Sequence, residues 1–531
     1  MGRWLGPSAK IGTTTLHRSL VLLVADAVCS QAMATLTGGA FLVAYVLSLG
    51  GSNFAVGLVS AVSPLSQLLQ LPAALLIDRV RLRKALTVAS AVAARLLWFA
   101  VAAIPWLGLG APVPVLLGTL ALFFGTGALT ACGFNTWMRD LVPERVMSGY
   151  FARRLAVGMA VSAVVGLAAS AVVDRHVGTG IAGDAAQRAR ILSALFGLGG
   201  VVGLVGAGFL SGVAEPRMPE RRRRPLRDIL REPLDDRRFR RLLVFLGSWS
   251  FAANLAAPFF IVYMLRRLGL PTTVVVALSV VSQLVNALFL RIWGRLADQF
   301  GNAAVLGVSG GLFLTALALW PMAGLGALEA VRIPLLAAIH LLLGVATAGI
   351  TLCSGTIALK LAPRGEAAAY LATNALVSGV AASVAPLLAG LAADWLDTQR
   401  LTIELRWTST LGTGATRSVP ALDLHGIDFL FVAAFVLGLY AIHRLLAVRE
   451  EGQVDEAVVR SALVGEVRRT VRDISNVPGI RQVTEFPYAV LGRFFPERRR
   501  QREGHAPERR RRGAAGSEAG SVAGDGSRVG G

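Results

Sequence analysis

Five polar side chains interrupt runs that are otherwise apolar: Asp26, Arg95, Asn254, His340 and Asn374. A charge inside a stretch long enough to cross a hydrocarbon layer must be paired, hydrated in a cavity or neutralised, so such residues are functional candidates by default. Asp26 lies about nine residues into its run, roughly 14 Å along a helix. In a central cavity it suits a proton-coupling role; alternatively it pairs with an arginine. Ser30 and Thr37 share approximately its face. Arg95, near the middle of its run, is its natural partner or an anion-binding group, unless its long stem snorkels to the surface. His340 either titrates or hydrogen-bonds a solute, or is a ring satisfied by a neighbouring carbonyl. Asn254 stands four residues before Pro258, whose missing amide hydrogen frees the carbonyl of Asn254 and makes a kinked gate or ligand contact. Further amides, Gln31, Gln67, Gln70, Gln283, Asn286 and Asn374, complete the polar set, with interhelical packing the better reading for the glutamines.

Those residues need a scaffold, and composition indicates its class. Of 531 residues 54% are hydrophobic and 16% charged, and mean hydropathy is +0.61. Many apolar stretches are long enough to cross a ~30 Å hydrocarbon layer, so the chain reads as an all-α polytopic membrane protein. A formal charge of +21 would suit nucleic acid in a soluble protein. Here the arginines concentrate between apolar runs and in the tail, where they act as topology signals, and no nucleic acid partner is expected. Cys29, Cys132 and Cys353 lie inside apolar runs without metal-ligand spacing and read as small packing residues. No phosphate-binding loop, metal-spaced His/Glu cluster or nucleophile motif is present, so neither an enzyme nor a cofactor is expected.

Twelve transmembrane helices fit the apolar pattern. The first six cover approximately 17–48, 53–77, 84–107, 113–137, 148–173 and 190–213; the second six cover 241–266, 272–297, 303–325, 331–360, 366–396 and 426–447. The implied units are an N-terminal bundle (1–213), a basic linker (214–240), a C-terminal bundle (241–448) and a tail (449–531). The first apolar run continues to about Leu49 and reads as a span, not a cleaved leader. Basic loops alternate with nearly uncharged ones, which places both termini on the cytoplasmic face of a bacterial inner membrane. Arg266 and Arg267 dissent at one outer end. Arg221 to Arg224 in the linker suit anionic headgroups. In the tail, Val454 to Ile474 trace an amphipathic helix, and the arginine-rich end beyond Pro496 reads as disordered.

The two halves share more than helix number. Asp78 and Asp298, Pro143 and Pro363, and Tyr150 and Tyr370 each stand 220 residues apart, the mark of a duplicated unit. Asp78-Arg79 followed by Arg83-Lys84 resembles the cytoplasmic G-x-x-x-D-R-x-G-R-R signature of the major facilitator superfamily. Ala74 and Arg81 stand where its glycines belong, and the basic pair is shifted by one position. The second copy keeps Gly294, Asp298 and Gly301 and loses the basic residues. The resemblance covers residues 17 to 448. It implies two pseudo-symmetric six-helix bundles rocking about a central site, with Asp78, Arg79, Arg83, Gly294, Asp298 and Gly301 as a gating motif that exists in only one arrangement. The family's drug-antiporter marks are missing: the fourth span has no internal Arg, and the fifth has Gly158 and Gly166 but no Gly-Pro pair.

The expected function is secondary active transport of a small-molecule substrate by a monomer, with energy from an ion or substrate gradient. Two other readings stay open. One is a transporter-like scaffold or sensor acting through the basic linker and tail; the other is a transporter of lipid or lipid-linked substrates.

Overall fold

The structure, a computed structural model, describes residues 12–178, 184–217, 233–363, 367–408, 416–448 and seven positions between 458 and 466. The arginines Arg221 to Arg224, most of the expected amphipathic tail helix and the arginine-rich end lie outside the described residues. The first half consists of α1 (Thr13–Thr37), α2 (Gly39–Ser48), α3 (Asn53–Gln67), α4 (Gln70–Val80), α5 (Arg83–Ala103), α6 (Pro112–Leu141), α7 (Glu144–Val177) and α8 (Ala185–Ser211). The second consists of α9 (Arg237–Val262), α10 (Thr272–Phe300), α11 (Asn302–Leu319), α12 (Arg332–Leu361), α13 (Ala367–Leu396) and α14 (Asp428–Leu445).

Among the described residues, eleven helices are long and apolar enough to cross a membrane, counting α1 with α2 as one. Gly38 interrupts that first span with extended backbone, φ −125° and ψ −168°. The expected second span is broken in two. Pro64 deprives α3 of one amide, and the chain then tightens, with the amides of Leu68 and Leu69 bonded to the carbonyls of Leu65 and Ser66. Taken as one interrupted crossing, α3 and α4 bring the pattern to twelve.

The packing repeats as the sequence does. In the first half α1 meets α7 and α8, α5 meets α6 and α8, and α3 and α4 meet α6. In the second half α9 meets α13 and α14, α11 meets α12 and α14, and α10 meets α12. Across the halves α3 lies against α13, and α7 against α10. The first of these crossings is backbone-close. A Cβ on Gly390 of α13 would lie 2.7 Å from Phe54 Cα, and one on Gly57 would collide with the carbonyl oxygen of Pro386. Small residues are what permit such an approach inside a membrane, where association rests on packing.

The repeated Pro/Tyr pairs pin each bundle to its own first helix. Pro143 caps α7 in extended backbone, and Tyr150 Oη donates to the carbonyl of Leu20 in α1 at 3.0 Å. At the matching place Tyr370 Oη donates to Asp236 Oδ2 at 3.3 Å, and its ring packs edge-on against Phe239. Asp236 in turn caps α9 by accepting from the amides of Arg238 and Phe239.

The signature loop turns through a positive φ in both copies, with different ψ: 18° at Arg81 and 154° at Gly301. Gly301 ends α10 with φ +88°, and Arg81, its counterpart, ends α4 with φ +57°. Two residues further on, Arg83 of the expected gating motif is buried. Its guanidinium donates to Asp140, to the carbonyl of Thr136 at 3.1 Å and to that of Pro216 at 3.0 Å, and its Nε lies 3.8 Å from Glu215. Burial pushes the Glu215 carboxyl above its usual range, against the opposing pull of the Arg83 and Lys84 amides that open α5 and of the Arg83 charge. Arg83 thereby joins α5, α6 and the segment after α8 within one bundle.

The long loop between α13 and α14 is an antiparallel hairpin, β1 (Arg400–Thr408) and β2 (Thr416–His425), with a bulge at Ile403/Glu404. Arg400 holds Asp423 through two hydrogen bonds of 2.8 and 3.0 Å, which keep its carboxyl below the usual range. The turn between α13 and the hairpin meets one dissenting arginine, because Arg266 Nη2 lies 3.6 Å from Asp397.

Four substitutions test these features through the thermal-unfolding midpoint of detergent-purified protein. Arg81→Gly relieves a left-handed backbone and is expected to leave stability equal or higher by up to about 1 kcal/mol, whereas Gly301→Val should lower it by about 1–2 kcal/mol. Arg83→Ala removes the buried charge from Glu215, which keeps its backbone amides, and from the partly exposed Asp140, and should cost about 1–3 kcal/mol, with Arg83→Lys losing less. An unchanged midpoint in Arg83→Ala would exclude the structural role.

Candidate functional site

Three helices, α1, α7 and α10, enclose a cavity of about 740 Å³. The α1 and α7 walls follow helical spacing: Ala27, Ser30 and Gln31 on α1, and Arg154, Leu155 and Gly158 on α7. From α10 come Ser282, Gln283 and Asn286. The lining is thus amide and hydroxyl on one side, apolar on the other, and cationic at Arg154. A smaller space of about 230 Å³ continues past Gln31 and Gln283 toward the hairpin face, where Thr35 Oγ1 donates to Ser162 Oγ at 2.9 Å.

Asp26 faces a third space of about 280 Å³, between α1, α5 and α6, that shares Ser30 and Arg154 with the main cavity. Its carboxylate is engaged on both oxygens. Ser30 Oγ donates to Oδ1 at 3.2 Å, Arg95 Nη2 donates to the same oxygen at 3.3 Å, and Arg154 Nη2 stands 3.9 Å from Oδ2. Arg95 also donates to Ser30 at 2.9 Å. Asp26 and Arg95 are both buried, so Arg95 pairs inward and does not snorkel. Arg154 does not stand out in the sequence, because it follows Arg153 near a basic loop where arginines read as topology. Its signal is helical: Arg154, Gly158 and Ser162 recur at i, i+4 and i+8, the face α7 turns to the cavities.

The remaining sequence candidates fall in three places. His340 is buried, with Nδ1 2.9 Å from the carbonyl of Leu336 and its ring edge-on to Trp320, as a packed histidine would be. Asn254 and Asn374 belong to a polar thread between α9 and α13: Asn254 donates to the Ser250 carbonyl, Ser250 Oγ to the Ser378 carbonyl, and Ser378 Oγ to Asn374 Oδ1. At the 220-residue offset Ser250 matches Ser30 and Asn374 matches Arg154. The thread is the uncharged counterpart of the Asp26 cluster. In the signature motif Arg79 and Asp298 are exposed, Gly294 lies within α10, and Asp78 lies near the end of α4 with its side chain outside the described residues.

Two carboxylates of the opposite face complete the geometry. Asp394, at the end of α13, accepts from the amides of Asn53 and Phe54 that open α3, at 2.8 and 3.0 Å. Asp174, at the end of α7, accepts from the amides of Thr272 and Thr273 that open α10, at 2.9 and 2.7 Å. Asp174 and Asp394 are again 220 residues apart. Each contact joins one half to the other. A carboxylate suits the unsatisfied, partially positive amides of a helix N-terminus. Their signal in the sequence is spacing: acidic residues at equivalent ends of two apolar runs.

Solved structures share this architecture. A single-residue mutant of the nucleoside transporter NupG superposes with a TM-score of 0.63 at 11% identity, over 81% of this chain and 100% of that one. A bacterial homologue of the human lysosomal transporter Spinster, inward-facing and unoccupied, gives 0.54 at 13% identity over 88% and 99%. A bacterial metal transporter gives 0.53 at 14% over 82% and 99%. At such identities the likeness is one of fold. No curated protein sequence matches the chain significantly. The profile of the Major Facilitator Superfamily matches residues 27–386, and with the duplicated bundles and the signature loop already in view, the chain belongs to that superfamily.

Proposed function

We propose that the protein is a secondary active transporter of the bacterial inner membrane that carries a small solute by alternating access between its two bundles. The observation that carries this reading is a polar cavity between the halves combined with paired inter-half contacts that, among the described residues, gather toward one face: the Asp174 and Asp394 carboxylates and the closest α3–α13 approach lie on the hairpin side. The opposite face bears Arg79, Arg81 and Arg139, and the positive-inside rule makes it cytoplasmic. The arrangement described is then an inward-facing one, sealed outside. Reversal requires both carboxylates to leave their helix ends while the motif around Asp78 and Asp298 forms its contacts on the inner face. Asp26 is the proposed coupling group, since it is the carboxylate that lines these spaces among the described residues.

Asp174→Asn combined with Asp394→Asn removes two charge-assisted contacts, each of roughly 1.5–3 kcal/mol, and should favour outer opening. A cysteine at Phe54 is then expected to react with a membrane-impermeant maleimide about tenfold or more faster than in the parent; equal rates would contradict the seal. In a comparison of solutes inside and outside cells with and without the protein, at least one should depend on it. Asp26→Asn should abolish the response of its flux to a pH gradient, and an unaltered response would remove Asp26 from coupling. If no solute depends on the protein while deletion of the tail abolishes its phenotype, the scaffold reading takes over.

A further inference from the structure

The charges around Asp26 do not balance. One carboxylate faces two guanidiniums, Arg95 and Arg154, and the residues lining the main cavity and the Asp26 space contribute no other charged side chain. The cluster therefore carries one surplus positive charge. It also carries spare donors: Arg95 Nη1 and Arg154 Nε are buried without a hydrogen-bond partner, and Arg95 is only 6% exposed. A guanidinium left so inside a membrane is costly unless an anion joins it. Phe134 already covers one side of Arg154, its ring 4.8 Å from the guanidinium carbon. Ser30 adds a hydroxyl between the two arginines.

We infer that this cluster is the charged subsite for an organic anion, a solute with one carboxylate or phosphate group. Its oxyanion is held by Arg154 and the free Nη1 of Arg95, and its body lies in the main cavity. The planar fork of arginine matches an oxyanion in two parallel hydrogen bonds, which a lysine does not provide. Gln31, Gln283 and Asn286 supply neutral donors and acceptors for the body, and about 740 Å³ lies within the range of drug-sized ligand sites. In this arrangement Asp26 is a competitor. It occupies the arginines when the site is empty and yields part of them to the anion when the site fills. The inference rests on the transport reading and narrows it to a class of substrate.

Charge-matched probes test it: benzoate, phenyl phosphate, benzamide and benzylamine, titrated at constant ionic strength against the unfolding midpoint of full-length protein in detergent. The anions should raise the midpoint in a saturable way, and the amide and amine should not. Arg154→Gln is expected to weaken anion binding about tenfold or more, the loss of one charge-assisted hydrogen bond. Arg154→Lys should bind with intermediate strength, which keeps the test valid if the glutamine variant folds poorly. Asp26→Asn should bind anions more tightly than the parent, a result that a purely structural ion pair would not give. Equal response to all four probes, response to none, or weaker anion binding in Asp26→Asn overturns the assignment. The whole-cell solute comparison separates the two proposals: a protein-dependent solute that is neutral or cationic sinks the anion subsite alone, whereas no dependent solute sinks transport itself.

Discussion

The contact on which the two-bundle arrangement turns is a carboxylate laid against the first amides of a helix in the other half. In hydrocarbon, backbone groups must be satisfied within the protein, and the opening turn of any helix leaves donors over. The ends of α7 and α13 meet that demand across the bundle joint, through Asp174 and Asp394. With the hairpin-side ends held, α7 and α10 leave room between them farther along, and the cavity occupies that room. The site is thus a by-product of where the helix ends are held. The close crossing at Gly57 and Gly390 serves the same joint by packing.

Around this joint the duplication governs shape but not chemistry. Equivalent helices pair in both halves, and Tyr150 and Tyr370 fasten equivalent helix ends. The polar centres diverge. The first half holds a charged cluster of Asp26, Arg95 and Arg154, while the second holds a neutral thread through Ser250, Asn254, Asn374 and Ser378. The thread lines none of the described cavities; opposite Arg154 and Ser30 the main cavity is walled by Ser282, Gln283 and Asn286 of α10.

Much of this is legible in the sequence. Hydropathy and the 220-residue spacing indicate two six-span halves, because the cost of exposing polar backbone in lipid leaves few other solutions. The broken second span has a visible cause in Pro64. Asp26 and Arg95 stand out as expensive residues, and their pairing is one of the open readings. Arg154 does not, since only packing shows that its helix face turns inward. Arg83 is read from the sequence as part of a gating motif, and only packing shows that it is buried against Glu215 and Asp140. The hairpin escapes because its segment lies between two apolar runs and reads as a loop, yet Leu401, Ile403 and Leu405 alternate as a strand does.

The paired seals have an energetic corollary. Since Asp174 and Asp394 both bridge the same joint, neither can let go usefully alone, and rocking on the proposed cycle is an all-or-none event. In the proposed cycle they would set a gap of roughly 3–6 kcal/mol between the two facings, before any compensating interaction on the inner face is included. A solute can reverse such a balance only through differential affinity, so to offset that gap unaided it would have to prefer the outward-open form by about a hundredfold to ten-thousandfold. Selectivity and turnover then rest on the same residues. A molecule that fits the cavity equally well in both facings would leave their balance where the seals set it.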